Sequence, residues 1–173
     1  MAGEAGGPGW RGLEVAEDMG FQRRDWRFER VAWAAMAALV LAGLLGAFSR
    51  GPLSRAEARD PGGLVEVRYE RFLRHGATSP LDILVAPAAL AGGGVELRLA
   101  GPLFAEARLE AVTPTPLEGH LAEGGWVFRF PARDRDRPGL VRLQLRPEAL
   151  ALLGGTVAVE GHPPARLRAF AYP

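Results

Sequence analysis

Residues 31–48 (VAWAAMAALVLAGLLGAF) run for eighteen positions without a charge, bracketed by Arg30 and Arg50. Coiled as a helix at about 1.5 Å per residue, the stretch reaches about 27 Å, close to the hydrocarbon core of a bilayer at about 30 Å. Mean hydropathy over the whole chain is +0.01, so this stretch is an outlier within its own sequence. A buried core helix seldom runs so far without a charge. A cleaved secretory signal has a short leader and an apolar core of about 7–15 residues. Here thirty mostly polar residues come first, and no Ala-x-Ala pattern closes the stretch. With no Cys in the chain, a lipoprotein anchor is excluded. The expectation is one uncleaved transmembrane helix, separating an N-terminal arm (residues 1–30) from a larger C-terminal part of the 173-residue chain.

Residues 1–12 (MAGEAGGPGWRG) are small and Gly-rich, a composition expected to stay disordered. From Leu13 helix formers take over, and Phe21 and Phe28 stand seven apart on one helical face. Residues 21–30 are read as a juxtamembrane helix running into the span. Trp26, Phe28 and Trp33 then fall at headgroup depth, where amphipathic rings are favoured. Arg23, Arg24, Arg27 and Arg30 crowd the same turns. Such a cluster is first a topogenic signal that holds its end in the cytoplasm. Its other use, contact with a lipid headgroup or an acidic partner, is weakened by Glu14, Glu17, Asp18, Asp25 and Glu29. Arg50, Arg55 and Arg59 follow the span, so the arginine bias is slight. Orientation rests more on the lack of a second span to bring the C-terminal part back. The expected placement is a bacterial cytoplasmic membrane with the N-terminus inside and the C-terminal domain periplasmic or extracellular.

Within the span, Ala34, Ala38, Ala42 and Gly46 recur every four residues. Small residues at that interval let another helix approach closely, and in lipid such packing drives association. An Ala-rich composition also produces such stripes by chance. The partners implied are membrane lipid and either an integral membrane protein or a second copy of the span.

Basic and acidic residues balance, 21 Lys+Arg against 20 Asp+Glu. That leaves none of the basic footprint that nucleic acid requires. All the basic residues are Arg, and Lys and Asn are absent, a bias that a GC-rich genome explains. Without Cys there are no disulfides, thiolate nucleophiles or thiolate metal sites.

Residues 49–63 (SRGPLSRAEARDPGG) lack an apolar period and hold two Pro and three Gly. They are read as a tether, with room for a helical turn or two over 53–59. From residue 64 the period becomes two. LVEVRYERFL (64–73), LDILV (81–85), VELRLA (95–100), FAEARLEAV (104–112), GWVFRF (125–130), GLVRLQLRP (139–147), TVAVEG (156–161) and ARLRAFAY (165–172) read as half-buried strands. PEALALLGG (147–155) reads as one short helix, with Pro147 at its start and Gly154 at its C-cap. The fold class expected is a single N-terminal transmembrane α-helix followed by an all-β domain over 64–173. That domain is expected to be an immunoglobulin-like β-sandwich, with a small β-barrel as the alternative. Glu66, Arg68, Glu70, Glu96, Arg98, Glu106, Arg108 and Glu110 occupy outward positions. Opposite charges on neighbouring strands there contribute about 0.2–1 kcal/mol per pair and discourage edge-to-edge stacking.

Groups able to do chemistry are sparse. His75, His120 and His162 stand in no metal-ligand spacing. Ser79 with His75 and Asp82 makes a local cluster, but all three fall around one turn, whereas a hydrolytic triad must converge with an oxyanion hole. Gly92–Gly94 precede a strand rather than a helix, so they are no phosphate cradle. Arg133, Asp134, Arg135, Asp136 and Arg137 lack the further ligands of a calcium loop. They read as a hairpin tip able to touch a partner. Trp126 reads as core before ligand platform. No catalytic, metal or cofactor site is expected.

In broad architecture the layout resembles bacterial inner-membrane accessory proteins that carry one N-terminal anchor and an external sandwich. The function expected is a non-enzymatic, single-pass interaction or assembly protein, its helix packed on a membrane partner. The alternatives are a ligand-binding or sensor module, which calls for a deep pocket, and an enzyme of unknown type. Replacing Ala38 and Ala42 by Leu is expected to abolish self-association or partner capture in a transmembrane association assay; unchanged association would remove the small-residue stripe as a packing surface.

Overall fold

The computed structural model describes residues 19–44, 51–90, 92–132 and 136–173. The first element, α1 (Met19–Leu44), is one continuous helix. The juxtamembrane segment and the start of the uncharged stretch therefore coil without a break. Ala, Leu, Met, Arg and Glu dominate it, all strong helix formers. Arg30 lies over the ring of Trp26 one turn earlier, 3.6 Å from the ring centroid, a cation–π contact. Among the described residues no helix is long and apolar enough to cross a membrane. Residues 45–48 of the expected span, Gly46 among them, lie outside the described residues.

The C-terminal part is a two-sheet β-sandwich, not a closed barrel. Its strands are β1 (Arg55–Arg59), β2 (Val65–Glu70), β3 (Phe72–Arg74), β4 (Ser79–Val85), β5 (Gly94–Ala100), β6 (Ala107–Thr113), β7 (Glu118–Ala122), β8 (Gly125–Pro131), β9 (Gly139–Pro147), β10 (Leu152–Val159) and β11 (Ala165–Tyr172). One sheet runs β1-β2-β4-β9-β6 and the other β3-β11-β10-β5-β8-β7. Every pairing is antiparallel except β3 with β11. Alternation decides which side of each central strand is dry. Val65, Val67, Leu81, Ile83, Val85, Val141, Leu143 and Leu145 from the first sheet meet Val95, Leu97, Leu99, Phe128, Phe130, Leu153, Val157 and Leu167 from the second in one buried cluster.

Several expectations are corrected. Arg55–Arg59, assigned to the tether, form β1. Asp60 closes the β1–β2 hairpin, accepting the Gly62 N–H at 2.9 Å and the Val65 N–H at 2.6 Å. A buried Asp in a Pro-Gly-Gly turn thus makes a strand out of what composition alone marks as linker. The run 64–73 divides at Arg71 into β2 and β3, which belong to different sheets. Arg71 falls in the inward phase of Val65, Val67 and Tyr69 yet is exposed, and a period of two does not say which sheet a residue joins. Phe104 is not in a strand. It lies in α3 (Pro102–Ala105), which follows α2 (Pro87–Leu90) in the chain and buries Leu103 and Phe104. His120 lies on β7 (Glu118–Ala122), a strand that the period-two reading did not mark.

The helix expected over 147–155 is absent. Pro147 ends β9, and Gly154 and Gly155 lie within β10. Too few residues separate the strands to repay helix nucleation, while Leu153 pairs with Ala169 of β11. The glycines also have a packing reason. A Cβ on Gly155 would sit 3.0 Å from Phe104 Cε2 and 3.1 Å from Leu103 Cβ, so the bare backbone makes room for α3.

The outer face of the five-stranded sheet carries ordered charge. Glu57, Arg68, Asp82 and Arg142 lie in direct register across β1, β2, β4 and β9. Arg142 donates to both Asp82 oxygens, at 2.7 and 2.9 Å. Glu66 takes Arg59 at 2.9 Å and Arg68 at 2.8 Å. Arg108 pairs with Glu148 at 3.2 Å and Arg146 with Glu110 at 3.7 Å.

Two outcomes follow. Gly155→Val is expected to destabilise the domain by about 1–3 kcal/mol through overpacking, read as a lower urea midpoint; an unchanged midpoint would contradict the close approach of α3. The hydrogen bond from Arg142 holds the Asp82 carboxyl below its ordinary range. A lowered native value means its stabilisation is complete above the unfolded carboxylate range, about pH 4, and is lost as pH falls through the native value. Asp82→Asn is therefore expected to lower the urea midpoint at about pH 7, with the gap from the parent protein narrowing as pH falls below the ordinary carboxylate range. A gap that persists in acid would assign the loss to something other than this carboxylate.

Candidate interaction face

On β11 the alternation leaves Ala165, Leu167, Ala169 and Ala171 buried and turns Arg166, Arg168 and Phe170 outward. Phe170 pairs with Phe72 of β3 on one side and Leu152 of β10 on the other. These three make an apolar row across three strands at one end of the six-stranded sheet. Phe170 is 46% exposed and Leu152 72%.

The row ends at the place where the chain changes sheets. Arg71 there donates its backbone N–H to the Ser54 carbonyl at 2.6 Å, and its own carbonyl accepts the Phe170 N–H at 2.6 Å. Because β3 pairs only with Phe170–Tyr172, the first half of β11 has no neighbouring strand on that side. The Tyr69 hydroxyl fills part of the gap, accepting the Arg168 N–H at 3.1 Å. The result is an open groove of about 450 Å³ whose lining includes Tyr69, Arg71, Phe72, Arg166, Arg168 and Phe170.

Its electrostatics differ from those of the opposite face. Among the described residues the Arg71, Arg166 and Arg168 side chains have no ion pair and no hydrogen bond. Three exposed guanidinium groups therefore stand beside uncovered apolar surface without a local counter-charge. Sequence reasoning missed this face, yet a signal was present: Phe170 occupies the polar phase of ARLRAFAY, in step with Arg166 and Arg168.

The residues singled out from sequence fall elsewhere. His120 is exposed on the edge strand β7, His162 follows β10, with Nδ1 2.9 Å from the Glu160 carbonyl, and His75 follows β3, with Nε2 3.2 Å from the Glu148 carbonyl. Ser79 is buried on the inward side of β4 while Asp82 points outward to Arg142, so the strand itself separates that cluster. Among the described residues no group of three His, Asp or Glu is placed to hold a metal. Trp126 is half-buried against the core and stacks on Phe128, centroids 5.9 Å apart and planes 7° apart. Arg133, Asp134 and Arg135 lie outside the described residues, and Asp136 and Arg137 form the bend before Pro138. On α1, Trp26, Arg27, Arg30, Trp33, Ala34 and Ala38 are exposed and Ala42 is half-exposed. Arg23 and Arg24 lie in its first turns. A second pocket, about 200 Å³, opens between Leu90, Phe130, Pro138 and Leu140 at one end of the sandwich.

No family model and no curated protein sequence matches the chain. Among solved structures, a cohesin module of a family 33 glycoside hydrolase from Clostridium perfringens is similar at a TM-score of 0.42 and 12% identity, covering 66% of this chain and 96% of that one. The two-sheet assignment stands on the strand pairings themselves.

Proposed function

We propose that the chain is a single-pass, membrane-anchored, non-enzymatic interaction protein that displays its β-sandwich outside the cytoplasmic membrane. One observation carries the reading. From Val31 to Leu44, α1 has no charge, and Val31, Trp33, Met36, Leu39, Val40, Leu41 and Leu44 are each at least half exposed. Leaving seven such side chains in water forgoes on the order of 10–20 kcal/mol of burial. The all-round distribution suits lipid or another membrane helix better than a one-sided contact with a soluble core. Ala34, Ala38 and Ala42 then offer a close-packing side to an integral membrane partner or a second copy. The arginines of residues 23–30 keep that end in the cytoplasm.

Within the sandwich, an immunoglobulin-like arrangement is the finer assignment we favour. Two mostly antiparallel sheets that share one buried core fit that architecture. A ligand-binding or sensor module is the second reading, and the end pocket speaks for it. At about 200 Å³ that pocket falls short of the about 300–1,000 Å³ usual for small-molecule sites, and the groove of about 450 Å³ lies open to solvent rather than enclosed, so docking of a protein partner is preferred.

Cell fractionation tests the placement. The full-length product is expected in membranes that survive a carbonate wash, released only by detergent, with the β-domain cleaved by protease added outside spheroplasts. Recovery in the soluble fraction, or a mature product that starts beyond residue 48, would overturn it.

A further inference from the structure

The arginines of the β3–β11–β10 groove are ordered in a line, and the line has a period. Arg166, Arg168 and Phe170 are alternate residues on one side of β11, so they recur about every 6.6 Å. An extended peptide presents its own alternate side chains at the same interval. We propose that this groove binds an extended acidic segment of a partner protein, in which two carboxylates at alternate positions meet Arg166 and Arg168 and an apolar residue two positions further covers the Phe72–Phe170–Leu152 row.

Three observations support that occupant. The guanidinium groups of Arg71, Arg166 and Arg168 have no carboxylate partner among the described residues, and arginine's planar fork matches a carboxylate in bidentate fashion. The carboxylates on the opposite face, Glu57, Glu66 and Asp82, are already engaged by Arg59, Arg68 and Arg142. The surface is a concave groove of about 450 Å³ at the point where β11 outruns β3. That shape suits a single chain better than a flat sheet of lipid headgroups. The proposal rests on the interaction reading of the sandwich but is independent of where α1 resides, because the groove lies wholly on the β-domain.

The test uses the full chain in mild detergent and a fluorescent, end-blocked peptide in which two glutamates and a leucine alternate with serines, in that order. Saturable binding is expected by anisotropy. The double variant Arg166→Glu/Arg168→Glu should weaken it at least about tenfold, and Phe170→Ser should weaken it without changing the salt dependence. All three substituted side chains are exposed, and an unchanged thermal midpoint for each variant shows that the loss is not unfolding. A scrambled peptide with its glutamates adjacent should bind at least about tenfold more weakly, since only the alternating order matches the strand period. No binding of the ordered peptide, equal binding of the scrambled one, or binding that survives charge reversal would each overturn the proposal. So would displacement of the peptide by equimolar dihexanoyl phosphatidylglycerol, which would assign the arginines to a lipid headgroup. Because detergent-held protein serves whether or not the chain is anchored, failure here and failure of fractionation remain distinguishable.

Discussion

The sandwich depends on its central strands keeping one side dry. Ile83 and Leu143 from one sheet and Leu97 and Val157 from the other are all fully buried, and each belongs to an unbroken alternation along its strand. A slip of one residue in any pairing would send such side chains to solvent and draw charged ones inward. Register is therefore specified by the core, and the turns agree with it. Asp60 holds the first hairpin, while Gly155 gives α3 its seat against β10. Where the strands are long and paired on both sides, as β4 and β9 are, the dry positions recur without exception.

With the inner faces committed to one another, the two outer faces are free to differ. On the five-stranded sheet, ten charged side chains from Glu57 to Glu148 neutralise one another in pairs. Each exposed pair contributes little, about 0–1 kcal/mol, but together they leave that face with little unmet charge to attract a ligand. On the six-stranded sheet the charges beside Phe170 are of one sign and unanswered. The contrast arises from strand order: β11 has β10 on one side and only three residues of β3 on the other, so its arginines have no acidic neighbour in register.

Most of the strands were legible because a half-buried strand writes its period into the sequence. Val65 and Val67 against Glu66 and Arg68, or Leu143 and Leu145 against Arg142 and Arg146, leave little choice. What was not legible depended on partners distant in the chain. β1 is short and Ala-containing, and only its pairing with β2 makes it a strand. The segment 147–155 has helix-forming residues, but Leu153 is claimed by β11 and Gly155 by α3. The groove eluded a search for His, Ser and acidic motifs because it is made of arginine and apolar side chains, residue types without chemistry of their own. Its one local mark, an aromatic in the outward phase of β11, gains meaning only once Phe72 and Leu152 are placed beside it.

The chain's exclusive use of arginine has a consequence for this groove. Guanidinium groups keep their proton throughout the accessible pH range, and no His or carboxylate lines the groove. Every basic group that lines it is thus a planar fork rather than a point charge, so a guest is selected by the geometry of its acid as well as by its sign. Nor does it contain a primary amine, so acetylating enzymes and amine-directed reagents alike pass it by.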